Sequence, residues 1–147
     1  MPFQGQWADS LLALERAFLM RIVLWSLMTL LLGTALVAWL RVRNVESALV
    51  RGFAVHSAAW GATLLILSAL GTRTAELRDL AGATALDRRV WLLIGLCLGV
   101  TALGATLARA AYVLGRRLDL VGAGIAVSVQ GCAIALLSLQ FASALVR

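Results

Sequence analysis

Lysine is absent from this 147-residue chain, and proline, histidine and tyrosine occur once each. Only 14% of residues are charged, against about 25% in an ordinary soluble domain. Near-absence of proline and 7% aromatics exclude collagenous, disordered and propeller-like chains. The missing lysine carries no chemistry of its own. Two cysteines, Cys97 and Cys132, are too few and too far apart for a disulfide framework, a zinc site or a redox pair.

What is present is apolar. Hydrophobic residues make up 62% of the chain, and mean hydropathy is +0.95. A water-soluble globule of this size holds about 45–50%. The composition is that of a membrane protein, and the length allows one domain, 1–147. The formal net charge of +6 comes from thirteen arginines that stand between apolar blocks rather than on one face. That is where membrane proteins meet lipid phosphates, so the lipid bilayer is the expected partner and nucleic acid is not.

Four blocks carry no Asp, Glu, Lys or Arg: 22–40, 52–72, 90–108 and 120–146, with 19, 21, 19 and 27 residues. About 20 apolar residues span a bilayer, because ~30 Å of hydrocarbon is covered at 1.5 Å per residue. No period-2 alternation supports a barrel. The expected fold is all-α, an integral membrane bundle of four transmembrane helices arranged as two helical hairpins.

Local chemistry marks the ends. Asp9 or Ser10 is expected to cap the first helix, and Asn44 the second, which Gly71 would end. Thr84 and Asp87 form an approximate capping box for the third, Gly115 would end it, and Asp119 would cap the fourth. The one long connection, 73–89, is expected to lie flat on the bilayer surface. With Arg16 as the first basic residue and a long apolar run behind it, the N-terminus does not read as a cleaved signal peptide. Flanking arginines divide seven against six, which does not fix orientation. A bacterial inner membrane is the expected setting, with both termini cytoplasmic.

Small residues form stripes. Gly124, Ser128, Gly131, Ala135, Ser138 and Ala142 follow at steps of four and three in the fourth block, and Gly95 and Gly99 form a G-x-x-x-G in the third. In lipid, helices associate through close backbone approach at such residues. The second, third and fourth helices are therefore expected to form the packed centre, with the Leu-rich first helix facing lipid or another protein. Gly52, Trp60-Gly61 and Leu67-Ser68 line up with Gly122, Gln130-Gly131 and Leu137-Ser138 seventy positions later. Chance matching in a Gly/Ala/Leu-rich chain is the favoured account of so faint a repeat.

Candidate ligand-binding residues are few. His56, the single histidine, is a candidate axial ligand for a chlorophyll-type pigment, with Gly52 leaving room for a flat ring; a neighbour-bonded interfacial histidine is the plainer reading. Gln130 lies mid-bilayer, where an amide must find a partner, and is either helix–helix glue or a polar spot in a quinone or lipid pocket. Gln140 lies further along the same helix. Trp25, Trp39, Trp91 and Tyr112 fit interfacial anchors. No nucleophile–base pair, phosphate loop or metal spacing suggests an enzyme or a cofactor.

Three segments, LLALERAFLMR, RGFAVHSAAWGATLLILSALG and LVGAGIAVSVQGCAIALLSL, resemble an uncharacterised bacterial family of small four-helix membrane proteins. Trp60-Gly61 and Gln130-Gly131 carry most of the likeness. His56 and Thr63 stand where the family would carry Asn, and Gln140 where it would carry Asp. The resemblance implies the four-helix fold and no activity. Two roles follow from the whole: an accessory or scaffold subunit bound to other membrane protein subunits, or a binder or carrier of a pigment, quinone or lipid using His56 and Gln130.

Overall fold

The computed structural model describes residues 3–145, so Val146, which ends the fourth apolar block, and Arg147 lie outside the described residues. Four helices make up the bundle: α1 (Phe3–Val42), α2 (Ala48–Thr74), α3 (Leu80–Gly115) and α4 (Leu118–Leu145). Each is long and apolar enough to cross a membrane. The links are short, at 43–47, 75–79 and 116–117, so α1–α2 and α3–α4 are hairpins.

The helix ends differ from expectation in instructive ways. Helix α1 begins at Phe3, so Asp9 and Ser10 lie inside it, and Ser10 Oγ donates to its own helix at Trp7 O. Asn44 ends α1 rather than starting α2. It is left-handed at φ 50°, and the N–H of Val45 returns to Leu40 O at 3.1 Å while that of Asn44 returns to Arg41 O, the Schellman pattern. The cap of α2 is Ser47, whose Oγ accepts from Val50 N. Gly71 is not a terminator, because α2 runs on to Thr74 and no described glycine has positive φ.

Helix α3 starts earlier than the Thr84–Asp87 box would place it. Asp79 Oδ1 accepts the Gly82 N–H at 2.7 Å and nucleates the helix at Leu80. The stretch 80–89 is thus the first turns of α3, continuous with its span, and only 75–79 is non-helical. The expected flat segment at 73–89 does not exist. Gly115 is the last residue of α3, and Arg116 takes the left-handed position at φ 47°. Asp119 lies in the first turn of α4.

At 1.5 Å per residue, the 40 residues of α1 extend about 60 Å, far beyond a ~30 Å hydrocarbon layer. Its first five turns project past the apolar blocks, beside the start of α3. Their inward face runs on in register with the span: Leu11, Glu15, Phe18, Ile22, Ser26 and Thr29, at steps of four and three, are all buried.

Helix α4 is the axis of the bundle. It packs against all three others, whereas α3 comes within close backbone range of α4 alone. Helix α1 is not peripheral, since it packs along α2 and touches α4. Helices α2 and α3, expected to share the packed centre, stay apart. Leu24, Met28, Leu31 and Leu32 form the outward side of α1.

Candidate functional site

Glycine sets the α1–α2, α2–α4 and α3–α4 crossings. A Cβ on Gly124 would lie 2.5 Å from Gly104 O, and one on Gly131 would lie 2.5 Å from Thr101 Oγ1 and 2.8 Å from Cys97 O. Between them, Ser128 Oγ donates across the interface to Thr101 O at 3.1 Å. Ala135, Ser138 and Ala142 continue the buried face of α4. The α3 surface that receives this face is Cys97, Thr101, Gly104, Ala108 and Ala111, which the sequence reading passed over. Gly95 and Gly99, expected to be the packing pair of α3, have nothing within 4 Å of an added Cβ. They point out of the bundle. A G-x-x-x-G gives spacing but not direction, and the neighbouring positions on α3 won the inward face.

The crossings repeat. Gly33 of α1 meets Ala54 O and Ala58 N of α2, and Gly104 of α3 meets Gly124 O and Ser128 N of α4. Gly61 meets Leu30 N, and Gly131 meets Thr101 N. Where the hairpins join, Gly52 lies against Asp119 O and Gly122 against Leu49 O, a reciprocal pair. The relation is 70 positions for α2 to α4 and 71 for α1 to α3. The faint sequence repeat is thus accompanied by a repeat of the backbone crossings, one hairpin echoing the other. The two hairpins run in the same sense and are related by a pseudo-two-fold along the bundle.

The repeat is broken on one flank. Trp25 Nε1 donates to Gln130 Oε1 at 2.8 Å, and Phe18 stacks on Phe141 with centroids 4.7 Å apart, tying α1 to α4. The related flank, α2 beside α3, has Trp60 and Leu96 at the positions of Gln130 and Trp25, and its helices do not meet. Trp25 is therefore no free interfacial anchor. Trp39, Trp91 and Tyr112 are exposed at the ends of their spans, as anchors are.

Gln130 is 2% exposed and bonded to Trp25, whereas His56 is exposed and bonded within its own helix, so no hydrogen bond joins the two. His56 Nδ1 donates to Gly52 O of its own helix at 2.9 Å. A carbonyl only accepts, so the neutral ring keeps its lone pair on Nε2. Gly52 offers no space for a flat ring, because the α4 backbone fills it. Among the described residues, Ser138 Oγ is the one buried side-chain nitrogen or oxygen with no hydrogen-bond partner.

An ion pair escaped the sequence reading. Glu15 on α1 is buried and accepts two bonds from Arg78 in the 75–79 link, at 2.8 and 3.1 Å. This hydrogen bonding holds the Arg78 guanidinium above its ordinary pKa against the opposing pull of desolvation. The pair straps the α2–α3 link to the projecting turns of α1. Glu15 lies outside the charge-free blocks, but its place in the Leu11–Phe18–Ile22 register was a readable sign.

The class these features define is a small multi-pass membrane protein, an all-α four-helix bundle of two similarly packed hairpins. No family model, curated protein or solved structure matches the chain.

Proposed function

We propose that the protein is a non-enzymatic accessory or scaffold subunit of a larger membrane assembly, set in a bacterial inner membrane with both termini cytoplasmic. The observation that carries this reading is the open α2–α3 flank. There α3 presents bare backbone at Gly95 and Gly99 between exposed Leu92, Leu96 and Leu103. Bare backbone on an apolar face suits the close approach of a transmembrane helix, since close packing is what drives helix association in lipid. On the related flank α1 and α4 are already bridged by this chain's own Trp25–Gln130 bond and Phe18–Phe141 stack. The likeness to small four-helix membrane proteins belongs to the same reading.

Purification in mild detergent, followed by native mass measurement and an absorption spectrum, tests it. A co-purifying membrane polypeptide that is lost in Gly95→Leu/Gly99→Leu is the expected result. A monomeric protein insensitive to those substitutions overturns it.

A second reading has one observation in its favour. With Nδ1 engaged by Gly52 O, Nε2 is the ring nitrogen left for a metal or pigment, so a pigment carrier would use His56 without Gln130. A visible chromophore lost in His56→Ala would select that reading.

A further inference from the structure

We propose that the α1–α4 flank holds one phospholipid, its phosphate on Arg21 and an acyl chain lying between the two helices. A groove of about 400 Å³ runs along this flank, walled by α1 from Arg21 to Met28 and by α4 from Ala133 to Gln140. That volume falls within the range of small-molecule sites. The inference is independent of the accessory-subunit reading, which concerns the opposite flank.

The groove has a polar head and an apolar body. Because α1 and α4 run antiparallel, Arg21 and Gln140 stand at the same end, where the first apolar block begins. Met28 and Ala133 lie seven residues further in, about 10 Å deeper at the helical rise. Trp25 lines the wall between, and its N–H is already given to Gln130, so the body offers no free donor there. A phospholipid has the same order along the membrane normal, an anionic head at the interface and hydrocarbon below it.

Arg21 is exposed and takes no part in either ion pair found among the described residues. A guanidinium matches phosphate with paired donors, and basic pockets between transmembrane helices bind lipid head groups. The repeat supplies an internal comparison. On the α2–α3 flank, Leu92 and Leu70 occupy the positions of Arg21 and Gln140, although the packing glycines Gly33/Gly104, Gly52/Gly122 and Gly61/Gly131 are kept in both hairpins. Folding alone therefore does not require a polar head on this groove. Leu24 and Met28 also stand where Gly95 and Gly99 do opposite, which obstructs the close approach of another helix and leaves room for a flexible chain.

The test is native mass spectrometry of the whole protein in a neutral maltoside detergent, titrated with phosphatidylglycerol and, separately, phosphatidylcholine. One phosphatidylglycerol adduct is expected to bind more tightly than phosphatidylcholine. Arg21→Gln should weaken it about fivefold, the effect of one arginine near an anionic surface. Ala133→Phe, which fills the groove from the other wall, should remove the adduct, and Arg73→Gln, an exposed arginine at the same end of α2, should leave it unchanged. Circular dichroism confirms that each variant keeps its helices. Equal retention by the wild type and Arg21→Gln overturns the proposal, as does an equal loss in Arg73→Gln. A polypeptide retained in place of lipid, and lost in Ala133→Phe, also overturns it.

Discussion

Trp25 and Gln130 are 105 residues apart in sequence, yet their 2.8 Å hydrogen bond is the polar tie between the first helix and the last. Interhelical hydrogen bonds of this kind contribute about 0.6 kcal/mol on average in membranes, and up to about 1.7. Removing one partner is worse than removing both, because a buried donor left alone costs about 1–3 kcal/mol. Gln130→Leu is therefore expected to destabilise more than Trp25→Phe/Gln130→Leu does relative to Trp25→Phe. A double-mutant cycle on thermal unfolding in detergent checks this. Additive effects would mean that the bond contributes nothing.

Glu15 and Arg78 strap the α2–α3 link to α1. Glu15→Gln keeps the shape and removes the charge, and is expected to cost about 1–3 kcal/mol while speeding hydrogen exchange at 75–79. The sign of the pH dependence follows from Arg78. Its pKa is raised on folding, so its contribution is complete below the ordinary arginine range and is lost only as pH rises through the higher folded value. Melting curves of the wild type and Arg78→Gln should thus keep a constant separation from neutral pH well into the alkaline range. A separation that closes at mildly alkaline pH would refute this.

Glycines inside and outside the α3–α4 crossing should respond oppositely to bulk. Gly131→Leu and Gly124→Leu drive a side chain into the α3 backbone, and overpacking of that kind costs about 1–3 kcal/mol or more. Gly95→Leu meets no atom of this chain and should leave the melting temperature of the isolated protein unchanged within error. Native-gel migration and unfolding midpoints of the three variants separate bundle packing from partner docking. His56→Ala, on the outer face of α2, is expected to leave assembly intact.

Gly115 offers a test of the α3 terminus. It is helical, not left-handed, and an added Cβ would touch only the Arg117 side chain at 3.6 Å. Gly115→Ala should raise stability by about 0.4–1 kcal/mol through the unfolded chain. Were Gly115 the left-handed cap that its position suggests, the same substitution would destabilise.

Four apolar blocks separated by arginines were enough to determine the number, order and span of the helices, since hydrocarbon thickness and backbone hydrogen bonding leave a 20-residue apolar run no other form. Position along the chain also placed the polar residues at depth, Gln130 deep and Tyr112 at an edge. The direction each residue faces was decided only by tertiary packing. Gly95-x-x-x-Gly99 and the Cys97–Thr101–Gly104–Ala108 face lie on one helix with similar small residues, and what separates them is that α4 reaches one and not the other. Asn44 and Ser47 are both good cap residues, and the Schellman bonds to Leu40 and Arg41 assigned the first to α1. The pairing of Glu15 with Arg78 and of Trp25 with Gln130 joins residues 63 and 105 positions apart. Helical periodicity carries no information across such distances, so those partners, and the flank they bridge, were fixed by how the two hairpins dock.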